Sequence, residues 1–368
     1  MENQYPFTTT EEERAQRRAQ RIEARRQRER ERRLRFLRRA APAAAVLAVL
    51  AGVLLFRGLD SGEVPGGAKA AMSDSPDGLV PASEPEPVQP PEPAFFSVEA
   101  TADTVQLGDE IGSEFAILID LTAGTILAQK SPDTVISPAS MTKIMTLLVA
   151  AEHIEDLDAT ETITFDITNY CYLNDCSVAG FLKDEEVPVR DLLYGTILPS
   201  GADGALALVN HVSGSEEAFV ALMNEKAEEL GLSDTARFAN CIGLYDEDNH
   251  CTVYDMAMIL KAAMDNELCR QVLTTKVYEI PASDAHPEGM VLSNWFLRRI
   301  EDHMPEGMEI LGAKTGFVVQ SGNCAASSAR DAAGNEYLCV TGNTYSSWAC
   351  IFDHAALYGT VAAAASGQ

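Results

Sequence analysis

The sequence predicts an α/β domain built on an antiparallel sheet and carried behind one membrane-spanning segment. Three observations predict it. Apolar strand-like runs lie near both ends of the region from about residue 96 to about 359. Helical patterns fill the space between them. A charge-free apolar run stands well upstream, behind a block of arginines. The chain has 368 residues, 46% of them hydrophobic, so a sizeable core is available to it.

Residues 1–39 are dominated by Arg, Glu, Gln and Ala, strong helix formers with many opposite charges four apart, and read as a solvated cytoplasmic helix. Residues 40–57 follow as a transmembrane anchor. The run from Ala40 to Phe56 holds about 17 residues without a charge, at the short end of what spans a bilayer. Arg35, Arg38 and Arg39 precede it and only Arg57 follows directly, which puts the N-terminus inside and the rest of the chain outside. A cleaved signal peptide, with a small-residue site at 68–73, competes with this reading. The long charged stretch ahead of the run favours an uncleaved anchor. Residues 58–95 are rich in Gly, Pro, Glu and Ser and read as an extended spacer.

The globular domain is expected over 96–360, with 361–368 as a tail. The stretch EFAILIDLTAGTILAQK (114–130) reads as two strands around a turn at Thr122–Gly124. MTKIMTLLVAAEHI (141–154) carries apolar residues at helical spacing. EEAFVALMNEKAEELG (216–231) is an amphipathic helix closed by Gly231, and TVYDMAMILKAAM (252–264) is another helix. GNCAASSARDAAGNEYLCVTGN (322–343) reads as a hairpin around 331–335, its strands beside those of the N-terminal hairpin.

The net charge of −27 is unevenly spread. Residues 1–40 carry about 13 Lys and Arg against about 7 Asp and Glu, which leaves the rest of the chain near −33. Such a body does not seek nucleic acid or anionic lipid through its general field, so any anion site must be local. All eight cysteines follow the apolar run. An exported chain with an even count permits disulfides, and the short closures are Cys171–Cys176 and Cys241–Cys251, with buried free thiols as the alternative. No C-x-x-C pair suggests zinc, and no His-Glu-x-x-His suggests a metallopeptidase. Gly-x-Ser-x-Gly is also missing, and the six histidines read as ordinary. Trp295 and Trp348 read as packing residues rather than a carbohydrate platform. No metal or organic cofactor is expected.

SPASMTKIMT (137–146) sets Ser140 and Lys143 one helical turn apart. Ser137 suits an N-cap and Pro138 the first helical position. Ser140 then lies where the positive end of the helix favours developing negative charge. A serine becomes a nucleophile only beside a base, and a lysine serves only when burial or a second cation lowers its pKa. Two other stretches join this one. In LLYGTILPSGADGALAL (192–208), Ser200 and Gly201 interrupt a helical run. In GAKTGFVVQSGN (312–323), Lys314-Thr315-Gly316 opens an apolar strand.

Together these residues resemble the penicillin-binding and serine β-lactamase superfamily, whose elements are Ser-x-x-Lys, Ser-x-Asn and Lys-Thr-Gly in this order. The surroundings, including NCIGLYDEDNHCTVYDMA (240–257), are closest to the low-molecular-mass D-alanyl-D-alanine carboxypeptidases. The resemblance covers roughly 98–345. It implies a serine β-lactamase/DD-peptidase-like fold with a helical subdomain beside the sheet.

It also implies roles for the residues. Ser140 attacks the penultimate D-alanine carbonyl, Lys143 takes its proton and Ser200 relays a proton to the leaving amine. Lys314 and Thr315 receive the terminal carboxylate, with Lys314 helping to hold Lys143 neutral. Gly201 and Gly316 belong to the same two elements. The backbone N–H groups of Ser140 and Phe317 form the oxyanion hole. The implied substrate is a peptidoglycan stem peptide, and β-lactams are the implied covalent inhibitors. A D,D-endopeptidase or a β-lactamase on the same fold is the alternative, and so is a catalytically weak wall-binding scaffold. One position departs from the family: Ala202 stands where the asparagine of the second element is usual. Either a water, a neighbouring residue such as Asp203 or a shifted substrate pose compensates, or activity is weak.

Overall fold

The computed structural model describes residues 95–366. The expected cytoplasmic segment, the anchor at 40–57 and the spacer up to residue 94 lie outside them. Among the described residues no helix is long and apolar enough to cross a membrane.

The N-terminal hairpin forms as read, from β2 (Phe115–Asp120) and β3 (Thr125–Lys130). Asp120 makes the turn, its Oδ1 accepting from the backbone of Thr122 and Ala123 at 2.8 and 2.9 Å. The C-terminal strands are β8 (Met308–Val318), β9 (Gly322–Asp331) and β10 (Glu336–Thr344). With β1 (Glu99–Gln106) they form one six-stranded sheet in the order β1-β3-β2-β10-β9-β8. β10 pairs antiparallel with β2, so the two ends of the domain meet in mid-sheet as expected.

The sheet is not wholly antiparallel, because β1 pairs parallel with β3. β1 was not legible as a strand. Its sequence, EATADTVQ, is almost entirely exposed at the sheet edge and carries no alternating apolar signal.

The inner strands are apolar on both faces because both faces are covered. On β2, Ile117 and Ile119 face one hydrophobic cluster while Ala116 and Leu118 face another. β10 splits the same way, Leu338 and Val340 against Tyr337 and Cys339. The second cluster is closed by α8 (Trp295–Ile300) and α9 (Ser347–Ser366). α9 corrects the expected tail at 361–368: the helix runs on to Ser366, with Val361 in the core.

The first, larger cluster belongs to the helical subdomain. It is built from α1 (Thr142–His153), α2 (Phe165–Leu173), α3 (Val189–Ile197), α4 (Ala202–Ser213), α5 (Glu216–Glu229), α6 (Val253–Asp265) and α7 (Glu267–Thr274). α6 starts on a capping box, Thr252 with Asp255, and Gly231 follows α5 at φ +72°. Two short ribbons complete the fold: β4 (Thr160–Thr162) with β5 (Glu186–Pro188), and β6 (Val277–Ile280) with β7 (Met290–Ser293).

Three further expectations change. Every cysteine is a free thiol, so neither Cys171–Cys176 nor Cys241–Cys251 is closed. Ser137 does not cap α1. Ala139 takes φ +47° and starts a tight 3-10 turn, Ala139–Met141, which leaves the Ser137 hydroxyl buried without a partner. Lys314 lies in the middle of β8 rather than at its start, because β8 already begins at Met308.

Trp295 and Trp348 do pack on one another, with ring centroids 6.2 Å apart and the Arg299 guanidinium over both rings. Of the histidines, His354 is fully buried between Ser327 and Thr341, and burial pushes its pKa down to about 3, so it is a neutral core residue.

Candidate active site

Three chain-distant elements meet where β8 passes the start of α1. The contact is backbone to backbone. A methyl placed on Gly316 would lie 2.9 Å from the Pro138 carbonyl oxygen and 3.0 Å from the Ala139 β-carbon, so only glycine lets the edge strand approach this closely.

On the turn, the Lys143 ammonium donates to Ser140 Oγ at 3.2 Å and to the Ile242 carbonyl at 2.7 Å. Lys143 is 2% exposed, and burial pulls its pKa down to about 8. Cys241, Cys176, Cys171 and Asp203 oppose that shift. On β8, the Lys314 ammonium donates to Ser200 Oγ at 2.8 Å and to the Thr315 carbonyl at 2.7 Å. Burial first, and the positive charge of Lys143 second, hold Lys314 well below the ordinary lysine range. The buried positive charge of Lys143 thus disfavours the proton on Lys314.

Ser200 takes φ +64°, a left-handed conformation that costs a residue with a β-carbon about 1–2 kcal/mol. Ala139, directly before Ser140, is held at φ +47°. Both strained residues adjoin or carry the reactive hydroxyls, and the surrounding hydrogen bonds hold them there. Gly201 follows Ser200, its N–H donating to the Gly195 carbonyl at 2.9 Å.

β8 is the outer strand of the sheet, so one side of its backbone has no strand partner. The Ala313 carbonyl accepts from the Asn294 side chain and the Thr315 carbonyl from Lys314, so these residues turn their backbone groups to the free edge. The two-residue repeat of a strand puts the Phe317 N–H on that same edge. The Phe317 side chain itself is exposed.

Several supporting residues carried no assigned role in the sequence. The Asn240-x-x-Gly243-Leu244 element frames the nucleophile turn. Asn240 Oδ1 accepts from the N–H groups of Ile242, Gly243 and Leu244, and its amide donates to the Leu244 carbonyl at 2.9 Å. This tight loop aims the Ile242 carbonyl at Lys143. Thr146 Oγ1 also donates to the Cys241 carbonyl at 2.6 Å, tying α1 to the same loop.

Asp203 is committed elsewhere and does not stand in for the usual asparagine. Its carboxylate accepts from the N–H groups of Ala179, Gly180, Phe181 and Gly204, at 2.8, 2.9, 3.2 and 3.0 Å. Ala202 is 1% exposed, and its N–H donates to the Ser177 carbonyl at 2.8 Å. The spacing Ser-Gly-Ala-Asp located this element in the sequence, but only folding brings residues 177–181 onto it. Among the described residues no cluster of side chains is suited to a metal ion.

A mixed sheet covered on both faces, with one buried lysine against a serine on the first helix and another on the edge strand, defines the serine β-lactamase/DD-peptidase class. The chain belongs to the D-alanyl-D-alanine carboxypeptidase family, whose sequence model matches residues 99–343. The D-alanyl-D-alanine carboxypeptidase DacF of Bacillus subtilis is 32% identical over 240 residues, which are 65% of this chain and 59% of that protein. The chain therefore spans a little over half the length of that curated relative. Among solved structures, a Streptomyces DD-transpeptidase is 30% identical with a TM-score of 0.63, over 68% of this chain and 98% of the other. A D-alanyl-D-alanine carboxypeptidase of Mycobacterium tuberculosis is 25% identical with a TM-score of 0.60, over 71% of this chain and 95% of the other.

Proposed function

We infer that the protein is a serine-type D-alanyl-D-alanine carboxypeptidase that removes the terminal D-alanine from peptidoglycan stem peptides and binds penicillins covalently. The observation that carries this reading is the Ser140 hydroxyl 3.2 Å from the buried Lys143 amine, in the cleft where Lys314 holds Ser200 at 2.8 Å.

The neutral Lys143 amine takes the Ser140 proton as Oγ attacks the carbonyl of the penultimate D-alanine. The Ser140 and Phe317 N–H groups receive the oxyanion. Ser200, hydrogen-bonded to Lys314, passes a proton to the departing amine, so the C–N bond breaks and D-alanine leaves. Two of the Lys314 donors are already engaged, by Ser200 and by the Thr315 carbonyl. The third, with the Thr315 hydroxyl, is left for the terminal carboxylate. Water then clears the acyl-enzyme. Ala202 favours a slower enzyme on the same chemistry, because nothing else in the element supplies the missing side-chain amide. The catalytic domain acts outside the cell, behind the anchor at 40–57.

The test is D-alanine release from a stem pentapeptide together with labelling by a fluorescent penicillin, for wild type and Ser140→Ala. Both signals are expected in wild type, and neither in the variant. A folded wild type that gives neither supports the wall-binding scaffold instead. Rapid turnover of the penicillin supports a β-lactamase.

A further inference from the structure

The cap that ends α2 brings two cysteines together. The Cys176 N–H donates to the Cys171 carbonyl at 3.0 Å and the Asp175 N–H to the Tyr172 carbonyl at 3.4 Å, with Asp175 at φ +53°. This is the Schellman arrangement, in which the side chain of the second residue past the cap packs on that of the third residue from the helix end. Most such pairs are apolar; here both are thiols. Cys171 is buried and Cys176 is half-buried. The same loop continues through Ser177, whose carbonyl accepts from Ala202, to the three N–H groups held by Asp203.

We propose that Cys171 and Cys176 form a redox-reactive dithiol at the wall of the active site, with Cys176 the attacking and Cys171 the resolving thiol. The two thiols adjoin on this cap, and their interaction has opposite effects on them. The Cys171 thiol, and then the nearby Lys143 charge, lower the pKa of Cys176 against the pull of burial. Cys176, and then burial, raise that of Cys171. A more exposed thiol of lowered pKa beside a buried thiol of raised pKa is the usual layout of an attacking and a resolving pair. The oxidant is a disulfide, small-molecule or protein-borne. Cys176 thiolate attacks one of its sulfurs and expels the first thiolate. Cys171 then loses its proton, attacks the Cys176 sulfur of the mixed disulfide and expels the second. One protein disulfide forms as one external disulfide is reduced to two thiols.

The pairing stands on the loop geometry alone. Its consequence rests on the reading of Ser140 and Lys143 as the acylating pair. Near Lys143, the Cys176 thiolate and Asp203 favour its proton and burial opposes it, while Cys171 and Cys241 are held protonated and carry no charge; the Lys143 charge in turn bears on Lys314. Oxidation removes the negative charge that the Cys176 thiolate sets beside Lys143, so Lys143 gives up its proton at lower pH. The oxidised enzyme is therefore acylated faster at any pH where the reduced Cys176 is ionised.

The full chain is equilibrated with graded ratios of reduced to oxidised glutathione, alkylated, digested and mapped by mass spectrometry. The expected result is a cross-link between residues 171 and 176, lighter than the dithiol by two hydrogens and reversed by reductant. Cys171→Ser is expected to hold glutathione on Cys176, whereas Cys176→Ser leaves Cys171 unmodified. Cys171 and Cys176 both alkylated at every ratio in folded wild type overturns the proposal. Penicillin acylation against pH, before and after oxidation, reads the consequence. A downward shift of the acid limb is expected, and an unmoved limb removes the link to Lys143. No acylation in either state would overturn the assigned function, while the cross-link measurement still decides the pairing.

Discussion

The α-carbon of Gly243 stands so close to Ala139 that a methyl built on it would lie 1.8 Å from the Ala139 carbonyl oxygen and 2.9 Å from the Ser140 nitrogen. Gly243 also takes φ +78°, where a β-carbon is strained even in open space. This glycine sets the height of the turn that presents the nucleophile.

Gly243→Ala should therefore cost about 2 kcal/mol or more of stability, because backbone must move on one side or the other. The displaced turn should slow penicillin acylation at least tenfold even where the variant is fully folded. Urea unfolding and labelling kinetics on the same preparation separate the two effects. Full-rate acylation in Gly243→Ala would mean that the turn is held by something else.

Lys143 gives a pH prediction in two parts. Its pKa in the folded protein, about 8, lies below the roughly 10.4 of an unfolded chain. Acylation needs the neutral amine, so its rate should rise with pH and level off above about 8. Stability carries the same proton. Below pH 8 both states hold it, and the native state bears the whole penalty of a buried ammonium. Between about 8 and about 10.4 the unfolded state binds more protons, so stability rises with pH and the penalty fades. Lys143→Met should be inactive yet gain stability relative to wild type at pH 6.5, and the gain should shrink by pH 9.5. Lys314, relieved of a neighbouring charge, shifts the balance in the same direction. A stability difference that does not vary with pH would contradict this account.

Asp203 holds four backbone N–H groups from a 2% exposed position. Asp203→Ala leaves those donors in a site with little water, and each unsatisfied buried group costs about 1–3 kcal/mol. A loss of several kcal/mol is expected, with the 177–181 loop the first region to exchange its amide hydrogens. Hydrogen exchange by mass spectrometry reads this directly. Unchanged protection of residues 179–181 would show that the carboxylate is dispensable.

Ala202→Asn restores the amide that the family usually carries in its second element. One hydrogen bond to the reacting substrate is worth about ten- to a hundredfold in rate. D-Alanine release should rise by at least tenfold, with little change in Ser140 labelling by penicillin at saturation. An unchanged rate would mean that another group already fills this role.

Much of the fold was legible because its elements carry strong local signals. Both hairpins, the helices at 141–154, 216–231 and 252–264 and the meeting of the terminal strands followed from apolar period and turn residues, whereas α9 did not. β1 was not legible, since an exposed edge strand needs no apolar face. The N-cap expected at Ser137 failed because Ala139 leaves helical space, a choice imposed by Gly243 and Gly316 pressing on its backbone. Loop length left disulfides and free thiols as alternatives for the cysteines, and the folded chain holds free thiols.

By itself the sequence determined which chemical groups are available: Ser140 a turn from Lys143, Ser200 at a helix break, and Lys314 in a strand, each on an element that local residue preferences specify. Only the tertiary structure decided that Lys143 turns to the Ile242 carbonyl and that Asp203 is occupied by the loop opposite. The same holds for the two ammonium groups buried near one another. Nearest-neighbour preferences act over a few residues. The pKa of a lysine is instead set by desolvation and by groups brought from far along the chain, as Lys143 and Lys314 are brought together, so it exists only once the chain has closed.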